Sequence, residues 1–338
     1  YNTQQEISHI ESQITDISIS TTNSCVINIT GSALCLGQNT NGQMDESSPG
    51  WGHFNQFIEA NFESDVPKTQ VAASAGEICV LNIDNDIICQ GEYELEILDQ
   101  AIGKITHLDS GEEHFCGLNT ELEMHCWGKN PNGYMGTGGS TSGPVAPTIV
   151  LSQVMELDLG NNHNCAIKTT NQLFCWGEGS SGQLGNGYSF SQLTPQPVTP
   201  PSGTNFTKIS AGKDHTCGLL DNSRVMCWGD NTFGQLGDGG TTSSNSPIYA
   251  TVVPQSTSPV DVVAGDGGTC VVDELGGVFC WGDNQDRKLG LSSSITNSYL
   301  VQPMLFENSS AIVGTLSMGS ITGAPLVAQT STTHRLYA

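Results

Sequence analysis

Basic residues are scarce in this chain: 10 lysines and arginines stand against 34 acids, a formal net charge of −24 over 338 residues. A surface so poor in cations repels phosphate backbones and anionic membranes, which argues against nucleic acid and lipid as partners. It favours cationic partners or divalent ions. Long apolar runs are lacking too. No stretch of about 18 apolar residues occurs, so no membrane insertion is expected. No basic start followed by an apolar segment marks a leader. The chain opens on Tyr1 rather than Met, which reads as a processed form or a fragment, and its end in "HRLYA" reads as an interrupted strand. Catalytic signatures are missing as well: no phosphate-cradling P-loop, no His-Glu-x-x-His, no Gly-x-Ser-x-Gly and no EF-hand calcium loop. Neither an enzyme nor a cofactor is expected.

Cysteine and glycine, by contrast, are plentiful, at 12 and 40 residues. The cysteines fall into pairs ten apart in number: Cys25 and Cys35, Cys79 and Cys89, Cys116 and Cys126, Cys165 and Cys175, Cys217 and Cys227, Cys270 and Cys280. Segments such as "CGLLDNSRVMC" and "CVVDELGGVFC" alternate apolar residues about a central Asn, Asp or Gly, the pattern of a β-hairpin. Residues placed symmetrically about such a turn face each other with Cα atoms about 4.5–5.5 Å apart, within reach of a disulfide. Zinc would need four ligands converging from short knuckles, which ten-residue spacing does not supply. Disulfides are therefore expected, and with them an oxidising compartment: secreted, extracellular or cell-surface.

The hairpin is one part of a longer repeat. A small–Gly–x–x–His–x–Cys pattern precedes it in "SGEEHFC", "LGNNHNC" and "AGKDHTC", with Gly268 in the His place in "AGDGGTC" and a shortened "AGEIC" in the second unit. Trp-Gly, a glycine-rich loop and a Pro-containing strand follow. Second cysteines at 35, 89, 126, 175, 227 and 280 recur at intervals of 37 to 54 residues. Four short strands per unit at this period predict an all-β, radially repeated fold, a β-propeller. One domain over residues 1–338 is expected. Six units carry cysteines. A seventh, near 301–338, lacks them, with Thr322 at the His position, Ala324 at the first Cys and Leu336, Tyr337 and Ala338 in place of Cys-Trp-Gly. A strand at about residues 5–11 is expected to complete that last blade, giving seven four-stranded blades in a closed ring.

"HTCGLL…VMCWGDNTFGQLGDG" resembles the regulator of chromosome condensation repeat family, whose units read similarly around Trp-Gly and Asn-x-x-Gly-Gln-Leu-Gly. The resemblance covers nearly the whole chain. It is strong in units four and five and degenerate in one and two, where Leu36 and Gln90 replace the Trp. It implies a seven-bladed propeller. The paired cysteines depart from intracellular members and are similar to secreted relatives. One member is a nuclear exchange factor that docks on chromatin; the acidic charge and paired cysteines here speak against that role.

His114, His163 and His215 recur once per unit and are expected to bond a neighbouring loop rather than form a metal ring. Trp127, Trp176, Trp228 and Trp281 are expected to pack between blades rather than to stack sugars. Sequons stand at Asn28, Asn205 and Asn308, so N-linked glycans are expected, with O-linked ones on the Ser/Thr/Pro stretches. The functional expectation is a non-catalytic protein that binds a protein partner or copies of itself. It would serve as a structural or adhesion component such as a subunit of a glycosylated extracellular fibre. The alternatives are an inhibitor or receptor-type module gripping a protein on one disc face and, further off, a carbohydrate-binding or carbohydrate-active protein at the central channel.

Overall fold

The computed structural model describes residues 14–44, 53–62, 66–92, 102–253, 258–285 and 289, and the strand segments 297–303, 313–318, 326–330 and 336–337. Blade one is β1 (Ile14–Ile19), β2 (Asn23–Asn28), β3 (Ala33–Gln38) and β4 (His53–Glu59). Blade two is β5 (Lys68–Ala73), β6 (Glu77–Asn82) and β7 (Ile87–Gly91). Blade three is β8 (Ile105–Ser110), β9 (His114–Asn119), β10 (Glu123–Asn130) and β11 (Thr141–Ser152). Blade four is β12 (Val154–Leu159), β13 (His163–Lys168), β14 (Leu173–Gly177) and β15 (Gln192–Val198). Blade five is β16 (Phe206–Ala211), β17 (His215–Leu220), β18 (Val225–Gly229) and β19 (Ser244–Tyr249). Blade six is β20 (Pro259–Ala264), β21 (Gly268–Asp273), β22 (Val278–Asp283) and β23 (Asn297–Pro303). A short three-stranded sheet follows: β24 (Val313–Met318), β25 (Leu326–Thr330) and β26 (Leu336–Tyr337). Every sheet is an antiparallel meander. The innermost strands β1, β5, β8, β12, β16 and β20 stand side by side in that order, and β24 lies beside both β20 and β1.

The expectation of seven four-stranded blades is overturned. Six blades carry a disulfide hairpin, and among the described residues the second of them has three strands and the C-terminal sheet has three strands without a cysteine. The second blade has less chain to draw on: residues 92–104 separate β7 from β8, whereas 178–205 separate β14 from β16. The expected closing strand near residues 5–11 lies outside the described residues, as do Thr322, Ala324 and Ala338. Register corrects the expected alignment of the last unit. Val327 stands opposite Ser317, as Cys25 stands opposite Ser18, so the place of the first cysteine falls to Val327 rather than Ala324. Leu336, expected opposite Ala324, pairs with Gln329. No cysteine pins the register there, and a period-two pattern alone is compatible with more than one slip.

In each blade the two cysteines are direct cross-strand partners, and the structure joins all of them: Cys25–Cys35, Cys79–Cys89, Cys116–Cys126, Cys165–Cys175, Cys217–Cys227 and Cys270–Cys280. Their Cα atoms are 4.0–4.2 Å apart, somewhat closer than an average antiparallel pair. Each staple lies inside one sheet. Cohesion between sheets has to come from elsewhere, and the recurring Trp, Gln, Leu and His side chains provide it. Trp176, Trp228 and Trp281 are buried, and each donates its Nε1–H to a loop carbonyl of the preceding blade: Tyr134 O at 2.8 Å, Gln183 O at 2.8 Å and Gln235 O at 2.9 Å. Leu184 and Leu236 of the Gly-Gln-Leu-Gly loops are buried in the same seams. Asn231 Oδ1 accepts from the Leu236 N–H at 3.0 Å and closes its loop.

Histidines stitch the seams from the other side. His163 Nε2 lies 2.7 Å from Thr216 Oγ1 in blade five, and that hydroxyl donates to Gln183 O at 2.8 Å. With its proton committed to a carbonyl, Thr216 must accept from His163, which assigns the Nε2–H tautomer. His215, Thr269 and Gln235 O repeat the arrangement one blade on, and His114 Nε2 meets Asn164 Oδ1 at 2.5 Å. Burial pushes His114 down to about 4 and His163 to about 3, so both stay neutral. They are architecture. The glycine after each Trp is equally constrained. Gly229 has φ +108°, and a Cβ there would lie 2.5 Å from Asp214 O and 2.6 Å from His215 Cα. Gly229→Ala is expected to cost about 2–3 kcal/mol, because left-handed strain adds to a clash with unyielding backbone. A urea titration of the oxidised protein measures it, and an unchanged midpoint would contradict this account.

Candidate functional site

Two surfaces are shaped by the ring. The first is the central channel, of about 700 Å³, lined by the innermost strands. The third and fifth residues of these strands line the lumen in five blades, Asp16 and Ser18, His107 and Asp109, Glu156 and Asp158, Lys208 and Ser210, Asp261 and Val263, while blade two contributes Gln70 and buries Ala72 against blade three. An innermost strand has a free edge, and its N–H groups need acceptors. The preceding blade's lumen side chains supply them. Asp16 Oδ2 accepts from the Val71 N–H at 2.7 Å, and Ser18 Oγ from Ala73 at 2.9 Å. Gln70 Oε1 accepts from Leu108 at 2.9 Å, and Asp109 Oδ2 from Leu159 at 2.8 Å. Glu156 Oε1 accepts from Ile209 at 3.2 Å, Asp158 Oδ2 from Ala211 at 2.5 Å, and Ser210 Oγ from Ala264 at 3.0 Å. The lumen is thus a ladder of side-chain acceptors that laces blade to blade.

Half-buried along the channel, these carboxyl groups are pushed above the usual carboxylate range. Burial pushes Asp16 up to about 7, partly offset by the hydrogen bonds from Val71 and Ile17. Asp109 also rises to about 7 through burial, against bonds from Leu159 and Ser110. Burial holds Asp158 well above the usual carboxylate range, and the neighbouring Asp109 charge adds to the shift. Glu156 and Asp261 are raised by burial too, but Lys208 opposes the shift in both. Asp16, Asp109, Glu156 and Asp158 are each held in place by an N–H of the next blade's innermost strand, a structural task that Gln70 and Ser210 perform in blades two and five.

The second surface is the loop rim at the end where the Gly-x-x-His turns emerge. Main-chain bonds run around it from one blade to the next: Ala75 N–H to Glu112 O at 2.9 Å, Glu112 N–H to Asn161 O at 3.0 Å, Asn161 N–H to Gly212 O at 3.3 Å, and Lys213 N–H to Gly265 O at 3.2 Å. Acids crowd this rim. Glu112 is raised by burial and then by the charges of Glu113 and Asp214. Asp214 is raised by burial, with Lys213 opposing and Asp230, Glu178 and Asp266 adding to the effect. Two lysines sit among them: Lys129 pairs with Glu113 and reaches Glu92 at 3.7 Å, and Lys213 reaches Asp266 at 3.5 Å. The loop between β14 and β15 that begins at Glu178 also carries Tyr188 and Phe190, 57% and 55% exposed, with ring centroids 5.2 Å apart.

The sequon residues divide. Asn28 is half-buried at a hairpin tip, where its Oδ1 accepts from the Thr30 and Ser32 N–H groups at 3.0 and 2.9 Å. Asn82 and Asn119, which stand in no sequon, cap the equivalent turns in the same way. Asn205 is exposed, and its Nδ2 donates to Asp221 Oδ2 at 3.0 Å. Asn308 lies outside the described residues. The lumen ladder and the rim were missed at the level of sequence. Their signal was present as the polar third and fifth positions of "ITDISI", "ITHLDS" and "VMELDL" and as "GEEH" and "GKDH", visible only when units are stacked column by column.

Residues 170–219 and 222–272 match a family model described as the regulator of chromosome condensation (RCC1) repeat, and a second model of the same description matches 156–183, 206–235 and 260–287. The Ultraviolet-B receptor UVR8 of Arabidopsis thaliana is 31% identical over 107 residues, 32% of this chain and 24% of that protein. The match therefore spans about a quarter of that relative's length. Among solved structures, human WBSCR16 superposes with a TM-score of 0.84 at 16% identity, covering 96% of this chain and 89% of that one. Prp20p of Saccharomyces cerevisiae superposes with a TM-score of 0.77 at 17% identity, covering 92% and 81%. At such identities the structures speak for the fold alone.

Proposed function

Because this chain is a propeller of regulator of chromosome condensation repeats, we propose that it is a non-catalytic protein-interaction module of an oxidising, extracellular or cell-surface compartment. It would grip a cation-bearing protein partner on the loop rim. The rim carries this reading. Its backbone is tied from blade to blade, so a partner meets a preorganised surface and little is spent on ordering it. Its charge steers a cationic surface toward it, and Tyr188 and Phe190 offer aromatic anchors of the kind that dominate binding energy. The staples support the compartment, since such bonds persist where thiols are not kept reduced. UVR8 is described as a receptor, and Prp20p is described by its binding to Gsp1p and histones, in keeping with a binding role.

Finer roles depend on the partner. Copies of this chain would make it an adhesion or fibre subunit, with glycans at Asn28, Asn205 or Asn308; a different protein would make it an inhibitor or receptor-type module. The rim favours a different protein, because rim-to-rim contact between copies would oppose like charges. An array of lysine-rich and acidic peptides probed with the oxidised protein tests this. Binding to the basic peptides is expected to weaken several-fold between about 50 and 200 mM salt. It should drop about tenfold in a Glu112→Lys, Asp214→Lys double variant. Equal binding to acidic peptides, or indifference to the reversal, would eliminate the rim as the site.

A further inference from the structure

Blade two breaks the seam chemistry of its neighbours. Glu77 occupies the position, two residues before the first cysteine, that His114, His163 and His215 hold in blades three to five. Those histidines reach Asn164, Thr216 or Thr269 in the following blade. The following blade offers Glu77 the apolar Phe115 at the equivalent place. Glu77 is 0% exposed, and among the described residues neither carboxyl oxygen has a hydrogen-bond partner. Such a group is costly to bury unless it serves something. What lies against it is the staple: a Glu77 carboxyl oxygen and the sulfurs of Cys79 and Cys89 all fall within 4.8 Å of one another.

The staple itself differs from the other five. Cys89 is half-buried, whereas the remaining eleven cysteines are fully buried. Its strand explains why. The second cysteine elsewhere is covered by an outer strand, as Cys126 is by Thr148 and Cys227 by Ile248. β7 ends its sheet among the described residues.

We propose that the Cys79–Cys89 bridge is a thiol–disulfide exchange site for a dithiol reductant, with Glu77 as the acid that protonates the departing sulfur. A reductant thiolate bonds to the Cys89 sulfur as the Cys79–Cys89 bond breaks, and the electron pair leaves on Cys79. The Glu77 carboxyl passes its proton to that thiolate, so no uncompensated charge is stranded in the seam. The reductant's second thiolate then displaces Cys89 and closes the reductant's own disulfide. Two electrons have reached the protein, water protonates Cys89, and Glu77 regains its proton from solvent. The acid is available at neutral pH: burial, and then the Glu92 charge, push Glu77 up to about 8. Lys129 stands 3.7 Å from Glu92 and also pairs with Glu113, so its charge is engaged at the rim rather than at Glu77.

Limited reduction of the native protein with dithiothreitol, trapped by iodoacetamide and mapped by mass spectrometry, tests this between pH 6.5 and 9.5. Cys79 and Cys89 are expected to label together at least about tenfold faster than any other pair. Per unit of dithiothreitol thiolate, their rate should fall about tenfold across pH 8 as Glu77 loses its proton, and Glu77→Gln should be slow and flat over the same range. Labelling of all pairs in step would overturn the site. A flat wild-type profile, or a Glu77→Gln profile matching wild type, would overturn the role of Glu77. Should Glu77→Gln not accumulate in folded form, the wild-type profile decides alone.

Discussion

Trp228→Ala is expected to lower the unfolding free energy of the oxidised protein by about 3–5 kcal/mol, the range for emptying a buried aromatic site. Trp228 is fully buried between blades four and five, and its ring meets Phe206 edge-on at 5.6 Å. Gly185 of the preceding blade comes so close that a Cβ there would stand 2.6 Å from the Trp228 Nε1. Loop and ring are therefore packed without slack, and the walls cannot collapse into the space an alanine would leave. The nearby staple, Cys217–Cys227, does not compensate, because it ties β17 to β18 within one sheet while the tryptophan ties one sheet to the next. Trp228→Phe separates the contributions. It keeps most of the apolar volume and loses the bond to Gln183 O, which retains the Thr216 hydroxyl as donor. About 1 kcal/mol is expected for that change. Urea titrations of both variants provide the measurement. A loss under about 1 kcal/mol for the alanine variant would mean that the seams are held by something other than these rings.

The repeat, the hairpin staples and the packing tryptophans were legible because each rests on residues that recur at fixed offsets. Cys217 faces Cys227 because the turn between them is symmetric, and the spacing of the pair already contains that fact. The lumen ladder recurs in geometry but not in identity. Asp16, Gln70 and Glu156 do one job with three side chains, since any short polar group that reaches the next strand's N–H will serve. A reading that looks for repeated letters passes over such a column. Glu77 was hidden for the opposite reason: the shortened "AGEIC" looked like a degraded copy, and only the fold shows its carboxyl set against the staple. Strand number and final register failed where no anchor existed. Only thirteen residues, 92–104, separate β7 from β8, and Val327 rather than Ala324 took the cysteine's place once no cysteine fixed the slip.

Stability is expected to fall, not rise, as pH increases from about 6 to 8, the reverse of ordinary acid denaturation. The sign follows from proton counts. Asp16 and Asp109 have ordinary values of 3.8 when unfolded and about 7 in the folded ring, and Glu77 moves from 4.5 to about 8. Between these limits the folded state holds more protons than the unfolded one, so stability drops as pH rises. Each such group steepens the slope by at most about 1.4 kcal/mol per pH unit, and less where channel water screens it. Lys208, which opposes the shifts of Glu156 and Asp261, limits their share, and His107 is pushed below its ordinary value by desolvation and then by Lys208. His114 and His163 act in the other direction. Their folded values of about 4 and 3 lie below the ordinary 6.5, so their contribution is lost as pH falls beneath 6.5. The two histidines offset only part of the gain from the raised carboxyls below that point, so the decline is shallower there and steepens just above it. Asp158→Asn keeps an acceptor for the Ala211 N–H and removes one raised carboxyl, so it should flatten the decline while leaving the ring laced. Urea midpoints at fixed ionic strength from pH 5 to 9 read both effects. A wild-type midpoint that is level or rising between pH 6 and 8 would show that water reaches the lumen carboxylates freely, and that the acceptor ladder carries full charge at neutral pH.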